Sequence, residues 1–266
     1  MAAGHPPDRV WLVTTGREPT GLQEARARAI AGEIGAPFVP RGDRALDCPE
    51  PALPCAFLVV ERHGLAIQVG SRRLAYHPGM ALHRIRLLRR GMADPMVEAM
   101  GLSGGEQVLD ATLGLASDAL VAAFAAGPAG WVTGVEKVAA LAVLVREGLR
   151  GYGWEDGDVA AAAARIEVVA ADHSKVLAMA DPGSFDVVYF DVMFERPLSG
   201  SASMASWRRV ADEGPLAADV VQAALSAARR RVVVKDRRDS ARLAALGPPR
   251  LWGGRSSRVV YGIWDV

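Results

Sequence analysis

Apolar and polar positions follow two rhythms along the chain. In the first part, Val10-Trp11-Leu12-Val13-Thr14-Thr15 is a β-branched apolar run that predicts a buried strand. A helix is expected next, with Thr20 and Gln23 in capping-box spacing and Leu22, Ala25, Ala29, Ile30 and Ile34 as its apolar stripe, ending at Gly35. Beyond a proline-rich loop at 47–54, the runs 56–61, 65–69 and 72–76 predict short strands, with turns at His63-Gly64 and Gly70-Ser71. A helix carrying Arg84, Arg86, Arg89 and Arg90 is expected over 80–90, and Pro95 opens another that runs to Met100.

From Gly101 the pattern becomes a regular alternation. Strands are expected at 107–111, 131–135, 165–169, 185–190 and 231–235, with a final pair near 250–252 and 258–264. Helices are expected at 117–126, 138–149, 174–180, 216–229 and 240–246, and the alanines 160–164 read as the end of a further helical connection. Such alternation is the mark of an α/β fold with a doubly wound parallel sheet. The expected division is a small N-terminal α/β domain at 1–78, linking helices at 79–100 and a Rossmann-like domain at 101–266.

Half of the 266 residues are apolar, enough for a substantial core. No uncharged apolar run reaches the ~18 residues of a membrane span, and the start MAAGHPPDR lacks a signal core, so a cytoplasmic protein is expected. Cys48 and Cys55 are too few for a disulfide framework or a metal site. His77 and His83 are badly spaced for one metal and have no Cys or carboxylate pair beside them, so no metal centre is expected. The net charge is +1, and the basic residues are 28 arginines against only Lys137, Lys175 and Lys235. Genomic codon bias accounts for that preference more simply than phosphate recognition does. A nucleic-acid partner would need a local patch, since the global charge offers no field.

In an open parallel sheet, ligands sit beyond the carboxyl ends of the strands, so strand-ending residues carry the chemistry. The first ends in Asp110-Ala-Thr-Leu-Gly114-Leu-Ala-Ser117-Asp118, where Gly114 permits close backbone approach. This loop has neither the three spaced glycines of a dinucleotide turn nor the lysine of a phosphate loop. It offers carboxylates, which suit the sulfonium and ammonium groups of S-adenosylmethionine. Glu136 ends the next strand and is placed to accept ribose hydroxyls. Asp172-His173 follows the third strand and can bracket an adenine edge, and Asp191-Val192-Met193-Phe194 follows the fourth. Each acid also reads as a turn or helix cap, but four on one rim favour a site.

These segments, with Val135-Glu136-Lys137, Val188-Tyr-Phe-Asp-Val-Met-Phe194 and Arg231-Val-Val-Val-Lys235, resemble the motifs of the small-subunit ribosomal RNA guanine-N2 methyltransferases called RsmJ or YhiQ. The chain resembles still more closely a group of methyltransferase-like proteins of Gram-positive bacteria, through Val13-Thr-Thr, Arg17-Glu-Pro-Thr20, Tyr76-His-Pro78, Arg84 and Asp94-Pro-Met96. The resemblance implies a class I methyltransferase fold and a donor set of Ser117, Asp118, Glu136, Lys137, Asp172, His173 and Asp191, to which Asp110 and Gly114 are added from the loop. It implies catalysis at Asp191 and Phe194, the first accepting amine hydrogens and the second stacking on a base. The family motif is Asp-Pro-Met-Phe, and Val192 replaces its proline, which frees a φ angle that proline would fix. RNA is the implied substrate, with contacts expected from the arginines of 84–90 and from Arg208-Arg209, Arg229-Arg230-Arg231 and Arg237-Arg238. Three other readings stand beside this one: a donor-binding protein with lost or altered catalysis, for which Val192 is the hint, a methyltransferase acting on a non-RNA acceptor, and a nicotinamide-dependent oxidoreductase, disfavoured by the lone Gly114.

Overall fold

In the computed structural model, the two rhythms become two separate sheets, four-stranded and seven-stranded. The structure describes residues 10–42, 46, 55–192 and 216–266; the 47–54 loop with Cys48 lies outside them.

The first compact unit holds the described residues up to His77 together with Lys137–Gly153. Strand β1 (Val10–Thr15) pairs in parallel with β2 (Cys55–Glu61), and β3 (Gly64–Val69) and β4 (Arg72–Ala75) extend the sheet antiparallel. Helix α1 (Gly21–Ile34) starts at the expected capping box: Gln23 N donates to Thr20 Oγ1 at 3.3 Å and Thr20 N donates to Gln23 Oε1 at 2.9 Å. It stops at Gly35, which takes the left-handed conformation at φ 65°. Leu12, Phe57 and Val59 form part of the core of this unit. The helix Ala139–Gly151 packs on β3 and α1, held by Arg146 to Glu33 at 2.5 and 2.9 Å and Arg26 to Glu147 at 2.5 Å.

The second unit is built on β5 (Gln107–Asp110), β6 (Trp131–Glu136), β7 (Ile166–Ala170), β8 (Phe185–Asp191), β9 (Ala228–Arg237), β10 (Arg250–Trp252) and β11 (Val259–Asp265). Their order is β10-β11-β9-β8-β5-β6-β7. All are parallel except β11, which runs antiparallel between β9 and β10. That reversal is the one departure from the parallel sheet expected, and it lets a short connection after β10 return the chain beside β9 without a crossover helix. The chain winds from β5 to β7, then returns to place β8 on the other side of β5, so the switch point lies between β5 and β8.

The helices of this unit are α2 (Ala81–Arg89), α3 (Pro95–Met100), α4 (Ser117–Ala125), α6 (Gly157–Ala164), α7 (His173–Met179), α8 (Ala218–Ala227) and α9 (Ala241–Leu246); the helix 139–151 of the first unit is α5. Val221, Ala224, Ala227, Leu177 and Leu243 of α7 to α9 pack on Val188, Phe190, Val232 and Val234 in a continuous core. Burial on both faces is why β8 carries the apolar run Val187-Val-Tyr-Phe190 and β9 the run Val232-Val-Val234. Among the described residues, no helix is long and apolar enough to cross a membrane.

Candidate active site

The carboxyl ends of the parallel strands form one rim. Register places Asp110 of β5 opposite Gly134 of β6 and Tyr189 of β8. Asp191 of β8 pairs with Lys235 of β9, and Glu136 of β6 with Ala170 of β7. One rim therefore carries Asp110, Glu136, Asp191 and Lys235 as neighbours on successive strands.

The loop after β5 is tied to both flanking strands. Thr112 N donates to Asp110 Oδ1 at 3.1 Å, and Asp191 N donates to Thr112 Oγ1 at 2.6 Å. Leu113 N donates to Val135 O at 2.9 Å, and Gly114 N donates to Glu136 Oε2 at 3.2 Å. Gly114 has φ 53° and Ala116 φ 59°. A left-handed alanine costs roughly 1 kcal/mol, so the surrounding bonds must hold this turn in place. Helix α4 then begins at Ser117, which sets Asp118 in its first turn.

Asp118 is the hub of a charged network. Its Oδ2 accepts from Tyr189 Oη at 2.7 Å and Lys235 Nζ at 2.9 Å, while its Oδ1 accepts from Arg84. Lys235 Nζ also donates to Asp191 Oδ2 at 2.8 Å, bridging the two carboxylates. Arg84 reaches back to Asp94 at 2.7 and 2.8 Å, and Asp94 itself caps α3 through Met96 N and Val97 N. Two cations on one buried carboxylate hold Asp118 well below the usual carboxylate range, against the opposing cost of burial. Burial, and then the neighbouring Asp118, push Asp110 up to about 8. Burial with Asp118 nearby also raises Asp191, while Lys235 opposes the rise. The two carboxylates hold Lys235 in its charged form despite its burial.

The family model for a "Putative SAM-dependent methyltransferase" matches residues 57–262. The chain is 35% identical to the "Uncharacterized protein YpiP" of Bacillus subtilis over 89% of its own length and 92% of that protein. It is 31% identical to the "Ribosomal RNA small subunit methyltransferase J" of Pseudomonas fluorescens over 76% of its length and 80% of that protein. The chain belongs to this SAM-dependent methyltransferase family. Among solved structures it resembles the SAM-dependent methyltransferase NGO1261 of Neisseria gonorrhoeae, with a TM-score of 0.63 at 21% identity, covering 96% of this chain and 95% of that one; this likeness shows the fold. The fold is thus the class I methyltransferase fold expected, and S-adenosylmethionine is the cofactor. The rim suits a cationic donor: its acids outnumber its one lysine, and Asp110 is 2% exposed with no cation within hydrogen-bond distance among the described residues.

In this methyltransferase, Ser117, Asp118, Glu136, Asp110, Gly114 and Asp191 lie on or directly above the rim. Lys137 follows Glu136 and is half-buried. Asp172 caps α7, accepting from Ser174 N at 2.9 Å and Ser174 Oγ at 2.7 Å, so the cap reading describes at least one of its oxygens. His173 opens that helix and sets its ring edge-on to Phe190 at 5.8 Å. Phe194 lies outside the described residues, as does Arg208-Arg209. Val192 is buried in the core with Phe190 and Leu216, so the position that is proline in the family motif is filled here by a packing side chain.

The arginine expectations need correction. Arg229, Arg230 and Arg231 stand at the amino end of β9, the opposite end of the sheet from the site, and are engaged with Asp186, Glu106 and Asp265. Arg84 is turned inward onto Asp94 and Asp118, and Arg89 pairs with Asp156 and Asp158. Lys235, Tyr189, Thr112 and Asp94 were not singled out for the site, although a lysine in a chain with only three, ending a strand on an acidic rim, was a readable signal.

Proposed function

We propose that this methyltransferase methylates an exocyclic amine in ribosomal RNA, guanine N2 of the small subunit, in the cytoplasm. The substrate reading rests on the resemblance to relatives named for small-subunit ribosomal RNA methylation. The observation that carries the chemistry is Lys235, which joins Asp118 on the donor loop to Asp191 at the end of β8.

In this reading Asp110, Gly114, Ser117, Asp118, Glu136, Lys137, Asp172, His173 and Asp191 hold the cofactor, on residues 101–266, with 1–78 presenting the substrate. The cofactor supplies an electrophilic methyl group on a positively charged sulfur. Methyl transfer to the guanine amino nitrogen would leave a surplus proton there, which a residue of this chain would have to accept. Asp191 is the acceptor, because burial makes its carboxylate more basic than an exposed one. Lys235 fixes the Asp191 carboxylate at 2.8 Å and keeps its orientation through the step. The carbonyl of Val192 completes the acceptor side among the described residues.

The test is transfer of labelled methyl from S-adenosylmethionine to deproteinised small-subunit RNA, with nuclease digestion and mass spectrometry of the nucleosides. N2-methylguanosine is expected, and Asp191→Asn should lower its rate by about 100-fold or more when measured at saturating donor. Donor binding without transfer to any RNA would support a binding protein instead, and methylation of another base would move the substrate assignment.

A further inference from the structure

The first unit carries a pocket of about 480 Å³ formed wholly within that unit, between the β2–β3 turn, the end of β4 and α5. Its volume lies in the range of ligand sites, roughly 300–1,000 Å³. Two tyrosines line it: Tyr76, after β4, and Tyr152, at the end of α5, meet edge to face with centroids 5.8 Å apart at 86°. Their positions are built in. A Cβ on Gly148 would stand 2.1 Å from Tyr76 Cγ, so the ring lies directly on the α5 backbone where only glycine fits. His77 in turn packs edge-on to Tyr152 at 5.9 Å. Tyr76 Oη is buried and has no hydrogen-bond partner among the described residues, so the phenol is held by packing and the ring is what this residue offers the pocket.

The charge in the pocket is also sorted. Glu147 is neutralised by Arg26 at 2.5 Å. Arg62 and His63, at the exposed turn, carry no side-chain ion pair or hydrogen bond among the described residues. The charged group of the pocket with no side-chain partner among the described residues is therefore Arg62, and it stands beside two aromatic rings. That combination suits a flat base joined to a phosphate.

We propose that this pocket binds one unpaired nucleotide of an RNA strand, its base against Tyr76 and Tyr152 and its phosphate at Arg62. The proposal rests on the RNA reading above and adds a second, non-reacting contact on the first unit. The site then needs an aromatic at 152 and a cation at 62, both residues of the first unit.

Fluorescence anisotropy of the full chain with a labelled single-stranded RNA of about a dozen nucleotides tests it. Tyr152→Ala and Arg62→Ala should each weaken binding about tenfold, Tyr152→Phe should retain it, and S-adenosylmethionine affinity should be unchanged in all three. Arg62→Ala sits in an exposed turn, so its result stands even if Tyr152→Ala fails to fold. RNA binding that is equal in every variant would overturn the pocket and leave the RNA reading intact. Absence of RNA binding with normal donor binding would overturn both. Competition by a polyglutamate peptide as strong as by unlabelled RNA would overturn the nucleotide assignment, and competition by GMP at the strand's own concentration would replace the strand with a free nucleotide.

Discussion

Asp110 shows how far burial can move one side chain. At 2% exposure, and with Asp118 and Asp191 nearby, its carboxyl titrates at about 8, so it is neutral at pH 7 without ligand. A cationic ligand favours the carboxylate, so binding should expel a proton. Donor affinity should therefore tighten as pH rises towards 8 and level off above it. For the unliganded chain the sign is opposite: a carboxyl raised in the folded state gives stability that is full below about pH 4 and is lost as pH rises through about 8. Calorimetric titration in two buffers of different ionisation enthalpy, on the chain and on Asp110→Asn, checks this; proton release that persists in Asp110→Asn would assign it elsewhere, Asp191 first. That Asp110 belongs to an acidic rim was legible in the sequence. Its protonation was not, since that depends on depth of burial and on Asp118, neither of which spacing encodes.

At the level of elements, patterns repeating over a few residues were the readable ones. The capping box at Thr20, the Asp94-Pro95 start of α3 and the strand rhythm after Gly101 all depend on near neighbours, and all appear as expected. The placement of β11 between β9 and β10 does not, because an edge order is chosen by packing rather than by local pattern. Gly134 shows the same divide. A glycine inside a strand hints at close approach, but only the structure names the neighbour: a Cβ there would come within 2.4 Å of Leu113 Cδ1. Leu113 anchors the loop after β5 on β6, so Gly134→Ala should push that loop outward. We expect a loss of about 1–3 kcal/mol in chemical denaturation together with weaker donor binding. Lost stability with unchanged affinity would mean the loop adjusts without moving Asp118.

For the whole molecule, the question is what a ligand bound at one rim does to a chain with two sheets. Each sheet has its own core, Leu12, Phe57 and Val59 in one and Val188, Phe190 and Val234 in the other. The packing of α5 in the first unit includes Tyr76 lying on Gly148, a match between positions 72 residues apart that no local pattern announces. Donor binding should stabilise the seven-stranded unit by mass action, about 2.7 kcal/mol at a hundredfold excess over Kd. For a unit of this size that raises Tm by roughly 5–10 °C. Scanning calorimetry with S-adenosylmethionine and, separately, NAD separates the ligand classes. A shift with the first alone, absent in Asp118→Ala, is the outcome expected of a rim whose neutral and acidic carboxyls await a cation. An equal shift with NAD would mean that the turn at Gly114 accepts a pyrophosphate despite Glu136, whose carboxylate already takes the Gly114 N–H that such a group would need.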